Sequence, residues 1–180
     1  MDAIEFLTQQ HRQVEQLFDQ YEQASGTGQR QELANEIVED LKLHTTLEER
    51  FFYPTVRERI PDLEDQLLED LEEHHAVELL LQEVTDADPS DERFDAKISV
   101  IQEQVQHHVQ EEEQELFPQV RDGLGDDALQ ELGDRMRQAA ERGGQEPTKD
   151  DLYQEAQDLD IEGRSKMDKD ELAEAVEEHR

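Results

Sequence analysis

The sequence predicts an all-α fold: an antiparallel up-down four-helix bundle with an extra helix and a small C-terminal helix-loop-helix unit. Three observations carry this expectation. Apolar residues recur at steps of three and four through four long segments, strand-like alternation is absent, and most links between the segments are short. The 180 residues, 33% of them apolar, suffice for one core of about 120 to 150 residues plus an appendage.

The first segment runs from residue 2 to about 24, where Ile4, Leu7, Val14, Phe18 and Tyr21 form a stripe completed by His11. SGTG at 25 to 28 breaks it. Leu33, Ile37, Leu41, His44, Glu48 and Phe51 or Phe52 then define a second face, predicted to end near Pro54. A third helix starts after IPD and carries Leu67, Leu71, His74, Val77 or Glu78, Leu81 and Val84 to the polar break TDADPSDE. The fourth bears Phe94, Ile98, Ile101, Val105, His108, Glu112 and Leu116 and runs to RDG. DDALQELGDRMRQAAER at 126 to 142 reads as a more polar helix packed on the bundle, which gives a domain at 1–142 and a link at 143–147. Residues 148–180 read as two short helices, capped by Thr148 and Asp168, around the loop IEGRSKM. At this size the unit has little core of its own, and packing on the bundle or on a partner is expected.

Fifty acidic residues face seventeen basic ones, only five of them Lys, for a net charge of −33. Such an excess suits a salt-rich cytosol, because at roughly 1 M salt the Debye length shrinks to about 3 Å and self-repulsion is screened. It also disfavours binding to nucleic acid or to anionic membrane. No run of about 18 apolar residues is present to cross a bilayer, and the amphipathic, acidic start MDAIEFLTQQHR is unlike a secretion signal, so a cytoplasmic location is expected. With no Cys in the chain, any metal must be held by nitrogen and oxygen.

Two stretches place polar residues where the stripe should be apolar: LKLHTTLEERFFYP from residue 41 and VQHHVQEEEQELFP from residue 105. Aligned on their prolines, they pair His44 with His108, Glu48 with Glu112, Glu49 with Glu113 and Tyr53 with Phe117. HRQVEQL from His11 likewise matches HHAVELL from His74, pairing Glu15 with Glu78. The offsets, 64 and 63 residues, mark an internal duplication of a helix pair. Residues at i and i+4 share a helix face, so His44 with Glu48 and His108 with Glu112 can point at one spot inside the bundle. Unpaired buried carboxylates cost several kcal/mol each, a penalty that cations relieve by coordination. Register assigns His11, His44, His74 and His108 to the interior and leaves His75 and His107 as flanking residues and His179 as a solvated one. Glu78 remains a further candidate ligand, whereas Glu15 reads more simply as a solvated flank. A single buried His is usually just hydrogen-bonded, but four in register with two Glu point to a metal site.

These signatures, with the LQELGDRM helix after the LFP turn, make residues 1 to about 140 resemble the hemerythrin HHE cation-binding family, a non-haem di-iron four-helix bundle. The resemblance implies His11, His44, His74 and His108 as terminal ligands, with Glu48 and Glu112 bridging two irons (Fe2+/Fe3+) that share an oxo or hydroxo group. Manganese and zinc suit the same donors. Oxygen-carrying hemerythrins have a fifth His one turn after the one that His74 matches, and here that place is Glu78. An extra anionic donor stabilises the ferric pair and shifts the balance from reversible O2 binding toward oxidation, peroxide chemistry or sensing.

Three functions follow from that likeness: a sensor of O2, nitric oxide or redox state, or a store of oxygen or iron; an enzyme that decomposes peroxide or oxidises Fe(II); or a metal-stabilised scaffold with a partner-binding tail. Other carboxylate sites are excluded by count. Only Glu72 with His75 has the Glu-x-x-His spacing of ferritin-like centres, and the EF-hand-like run from Asp158 through Asp160, Glu162 and Gly163 ends in Lys169 where a Glu is needed. The tail resembles the Rho termination factor N-terminal and SAP-like helix-loop-helix units through DLYQEAQDLDIEGRSKMDKDEL. Residues 147 to 180 hold twelve acidic and five basic residues, however, which favours docking to a protein over binding to nucleic acid.

Overall fold

The computed structural model describes residues 1–145, 148–159, 161 and 163–178. Asp160, Glu162 and His179 lie outside the described residues, as do Glu146 and Pro147 of the link. Among the described residues there is no strand, and no helix is long and apolar enough to cross a membrane.

Helix α1 (Ala3–Gln23) opens with a capping box: the Asp2 carboxylate accepts from Glu5 N at 2.9 Å, and Asp2 N donates back to the Glu5 carboxylate at 3.1 Å. Its stripe of Ile4, Leu7, His11, Val14, Phe18 and Tyr21 is buried as expected. Gly26, at φ 112°, takes a left-handed turn open to glycine and starts α2 (Thr27–Leu47). Helices α4 (Glu64–Thr85) and α5 (Phe94–Glu111) form the second pair. α1 packs along α2, α4 packs along α5, and α2 meets α4. The interior between them is filled by Val14, Phe18, Ile37, Leu81, Phe94 and Ile101 among others. Tyr21 Oη donates to Asp95 at 2.7 Å and ties α1 to the start of α5.

The second and fourth helices do not stop at their prolines. A π turn, Glu48–Phe52, follows α2, and the chain continues as α3 (Tyr53–Arg59) with Pro54 in its first turn. Glu112–Leu116 is likewise a π turn leading to α6 (Phe117–Leu124) with Pro118 in its first turn. In each turn the closing bond runs five residues back, from Tyr53 N to Glu48 O and from Phe117 N to Glu112 O. Because the helix restarts there, the proline occupies a first-turn position where its missing N–H costs little. The expected end near Pro54 is thus replaced by an extension to Arg59.

Helix α7 (Asp126–Glu141) buries Leu129, Leu132 and Met136 and lies against the chain start. A Cβ on Gly133 would stand 2.6 Å from the Asp2 carbonyl carbon, so only glycine permits this approach.

The chain divides into two compact units, Met1–Gln138 and Ala139–Arg180. In the second, α8 (Lys149–Asp158) and α9 (Lys169–Glu178) enclose a small core of Leu152, Ala156, Ile161, Leu172 and Val176. Asp168 caps α9, accepting from Asp170 N and Glu171 N at 3.0 Å, while Gly163 at φ 81° enters a 3₁₀ turn, Arg164–Lys166, within the loop.

Candidate metal centre

Both π turns begin at the glutamates of the stripe. Their extra residue rotates the helix face by about 100°, so Glu48 and Tyr53, or Glu112 and Phe117, are presented inward from one continuous segment. All four stripe histidines and both glutamates are buried, Glu48 and Glu112 completely.

The six side chains converge. His44 Nε2 and His74 Nε2 stand 3.2 and 3.3 Å from Glu48 Oε2, and His11 Nε2 and His108 Nε2 stand 3.3 and 3.6 Å from Glu112 Oε2. Each glutamate therefore spans one histidine of the first helix pair and one of the second. The histidines also meet within each pair, His11 against His44 with ring centroids 4.8 Å apart, and His74 against His108 at 4.7 Å. Donor atoms of His11, His44, Glu48 and Glu112 lie within 4.8 Å of one another, as do those of Glu48, His74 and His108, so Glu48 belongs to both sets.

Each of these four histidines turns its other nitrogen outward onto a hydrogen-bond acceptor. His11 Nδ1 meets Glu113 at 2.9 Å, His44 Nδ1 meets Gln10 at 3.2 Å, His74 Nδ1 meets Glu49 at 3.0 Å and His108 Nδ1 meets Glu73 at 2.8 Å. An acceptor at Nδ1 holds the ring proton there and leaves a lone pair on Nε2. His74 Nε2 and His108 Nε2 then face each other at 3.1 Å, an arrangement that needs a cation or a proton between them. His11 Nε2, His44 Nε2, both oxygens of Glu48 and Glu112 Oε2 are buried without a hydrogen-bond partner. These orphaned donors fit two metal ions by the test that matters for buried charge, since coordination satisfies every one of them.

The electrostatics of the metal-free site show the same tension. Burial, reinforced by Glu112, pushes the Glu48 carboxyl well above its usual range. Glu112 is held well below it: burial opposes this, but His108 and His11 outweigh burial. Burial alone would lower His11, yet the facing carboxylates of Glu112 and Glu113 bring it up to about 9, and Glu112 with Glu73 does the same for His108. His44, buried and beside His11, is pushed well below its ordinary value. Burial raises Asp70, one turn before His74, to about 7, and raises the Tyr53 hydroxyl, which donates to Glu112 at 3.2 Å. Tyr53 stacks on His74 at 5.5 Å between centroids, and Phe117 stacks on His11 at 5.8 Å.

Against known proteins, residues 2–120 match the hemerythrin HHE cation binding domain. The chain belongs to the hemerythrin HHE cation-binding family. A crystal structure of a hemerythrin HHE cation binding domain-containing protein from Mycobacterium kansasii has the same fold, with a TM-score of 0.70 and 19% identity over 100% of this chain and 99% of that one. A DNA nickase from Nostoc sp. is 27% identical over 139 residues, which are 77% of this chain but 39% of that protein. The chain thus spans about two fifths of that relative's length.

The six converging residues His11, His44, Glu48, His74, His108 and Glu112 all lie within the matched span. Glu78 is not brought to the centre. It is exposed, and Val77 occupies the inward place of that turn. Glu78 therefore adds no anionic donor to the centre. Glu15 is exposed beside Arg12, 3.6 Å away, and His75 and His107 are exposed too. Periodicity missed the four Nδ1 acceptors and Asp70. The doublets Glu48–Glu49 and Glu112–Glu113 carried a signal for two of them, because the second member of each faces a histidine of the other helix pair.

Proposed function

We propose that the chain is a non-haem di-iron protein that binds O2 or a related small oxidant, such as peroxide or nitric oxide, for sensing or storage. The observation that carries this reading is a cavity of about 20 Å³ lined by the four histidines and walled by Val14, Leu41, Val77, Val105 and Val109. Its volume is about that of one or two water-sized spheres, so a diatomic molecule fits and an organic substrate does not. Iron, when bound, would supply the redox change and the open position for such a ligand; zinc would occupy the same donors without that redox change. The chain's own residues do the rest. Glu48 and Glu112 would hold the metal together with the four histidines, the Nδ1 acceptors fix each imidazole, and the valine wall excludes bulk water.

An enzyme that decomposes peroxide or oxidises Fe(II) is the second reading, favoured by the buried Tyr53 hydroxyl. It lies 3.2 Å from Glu112 and 3.3 Å from His74, where it can keep or give a proton. A cytoplasmic, salt-rich setting accords with the charge of −33, and the C-terminal unit is read as a protein-docking element. The DNA-nicking activity named for the Nostoc relative is not carried over, because the same charge repels a phosphate backbone.

The test is the visible absorption of protein loaded anaerobically with Fe(II) in high salt and cycled between air and argon. A charge-transfer band that appears in air and vanishes under argon supports reversible binding. A band that forms once and stays supports the enzyme, and peroxide turnover becomes the next assay. No band, with zinc as effective as iron in restoring function, overturns both in favour of the scaffold.

A further inference from the structure

The two helix pairs differ most on the outer side of the second. Glu73, His107 and Glu111 place donor atoms within 4.8 Å of one another at the surface, Asp70, Glu73 and His108 do so one layer in, and Glu48, His74 and His108 do so at the centre. Glu73 belongs to the first two sets and His108 to the last two. The donors therefore form three linked steps from solvent to the buried site. His107 at the mouth is exposed and contacts Glu111 at 3.4 Å, whereas Asp70 in the middle is 2% exposed and its Oδ2 has no hydrogen-bond partner.

A buried carboxylate with an unpartnered oxygen is costly, and neither helix capping nor an ion pair explains it. The duplication makes the same point by contrast. At the matching offsets the first pair carries Leu7 for Asp70, Gln10 for Glu73, Leu43 for His107 and Leu47 for Glu111. The first pair thus offers one neutral amide where the second offers a graded line of anionic and imidazole donors. We propose that this line is the route by which a divalent cation enters the centre, with Glu73, His107 and Glu111 capturing it and Asp70 handing it inward. The inference rests on the di-metal reading of the centre. A line of carboxylates lowers the electrostatic barrier to a desolvating cation and raises its local concentration at the mouth.

The experiment is the rate of Fe(II) uptake by anaerobic apoprotein in high salt, with final metal content measured separately. His107→Leu with Glu111→Leu, and independently Asp70→Asn, are expected to slow uptake about tenfold or more while still reaching two ions per chain. Glu15→Ala, which removes a surface charge away from the line, is expected to load at the wild-type rate. Wild-type uptake rates in both line variants would overturn the route, and so would equal slowing in the Glu15 variant, which would mark a general charge effect. A wild-type protein that takes up no metal at all would overturn the di-metal reading and the route together.

Discussion

The two halves of the centre descend from one duplicated helix pair, yet their surroundings have diverged. Around His11 and His44 stand Leu7, Gln10 and the stacked ring of Phe117; around His74 and His108 stand Asp70, Glu73 and the hydroxyl-bearing Tyr53. The inward donors match in number and kind, while the outer groups match at Glu49 and Glu113 and differ elsewhere. Coordination demands particular atoms at particular distances and tolerates little change, whereas the surrounding groups tune affinity, protonation and access and can differ between halves. His44, whose Nδ1 meets the neutral Gln10, is pushed well below its ordinary value by burial and by His11, whereas Glu112 and then the anchor Glu73 bring His108 up to about 9 against the effect of burial.

The largest effect is expected where the halves join. Glu48 is the one residue common to both donor sets, so Glu48→Ala should remove both ions, whereas His44→Ala should spare the set formed by Glu48, His74 and His108. Metal content after gel filtration separates the two outcomes. Two ions retained by Glu48→Ala would mean that the halves are held independently.

A smaller effect is expected from exchanging the outer anchors. Glu73→Gln gives the second half the neutral anchor of the first, and should weaken metal binding by about 10- to 100-fold. Gln10→Glu does the reverse and should tighten it, because a carboxylate at Nδ1 makes the imidazole a stronger donor. Competition against a chelator of known affinity reads both changes. Equal affinities for Glu73→Gln and wild type would show that the anchors only orient the rings.

Much of this centre was legible in the chain. Four histidines and two glutamates stand in register with apolar stripes, and helical periodicity puts such residues inside whatever their polarity. The π turns were not legible, because a stripe of three- and four-residue steps reads alike through Glu48–Phe52 and Glu112–Leu116 and because Pro54 looks like a terminator. At the turn after His74 the steps of three and four compete. Val77 takes the buried place, and Glu78 comes out about 100° round the helix. The Nδ1 acceptors escaped for another reason. Glu49, Glu73, Glu113 and Gln10 sit at the border of the stripe, where a charged residue is normally solvated, and only the fold shows which histidine of a neighbouring helix each one faces.

The smallest effect is a pH dependence confined to the metal-free protein. His11 and His108 have folded-state values raised from 6.5 to about 9, so the stability they contribute is complete below pH 6.5 and is lost as pH rises through about 9. Asp70, raised by burial from 3.8 to about 7, acts in the same direction at lower pH, its contribution being lost as pH rises from about 4 through 7. The apoprotein should therefore lose several degrees of Tm between pH 6.5 and 9 in high salt. In the loaded protein the metals replace the protons on these donors, so its Tm should change little over the same range. The carboxylate-anchored half supplies His108, and Glu73→Gln weakens the bond that raises it, so this variant should flatten the apoprotein profile toward that of the loaded form. A slope equally steep with and without metal would place the titrating groups outside the centre and remove the electrostatic part of the contrast between the halves.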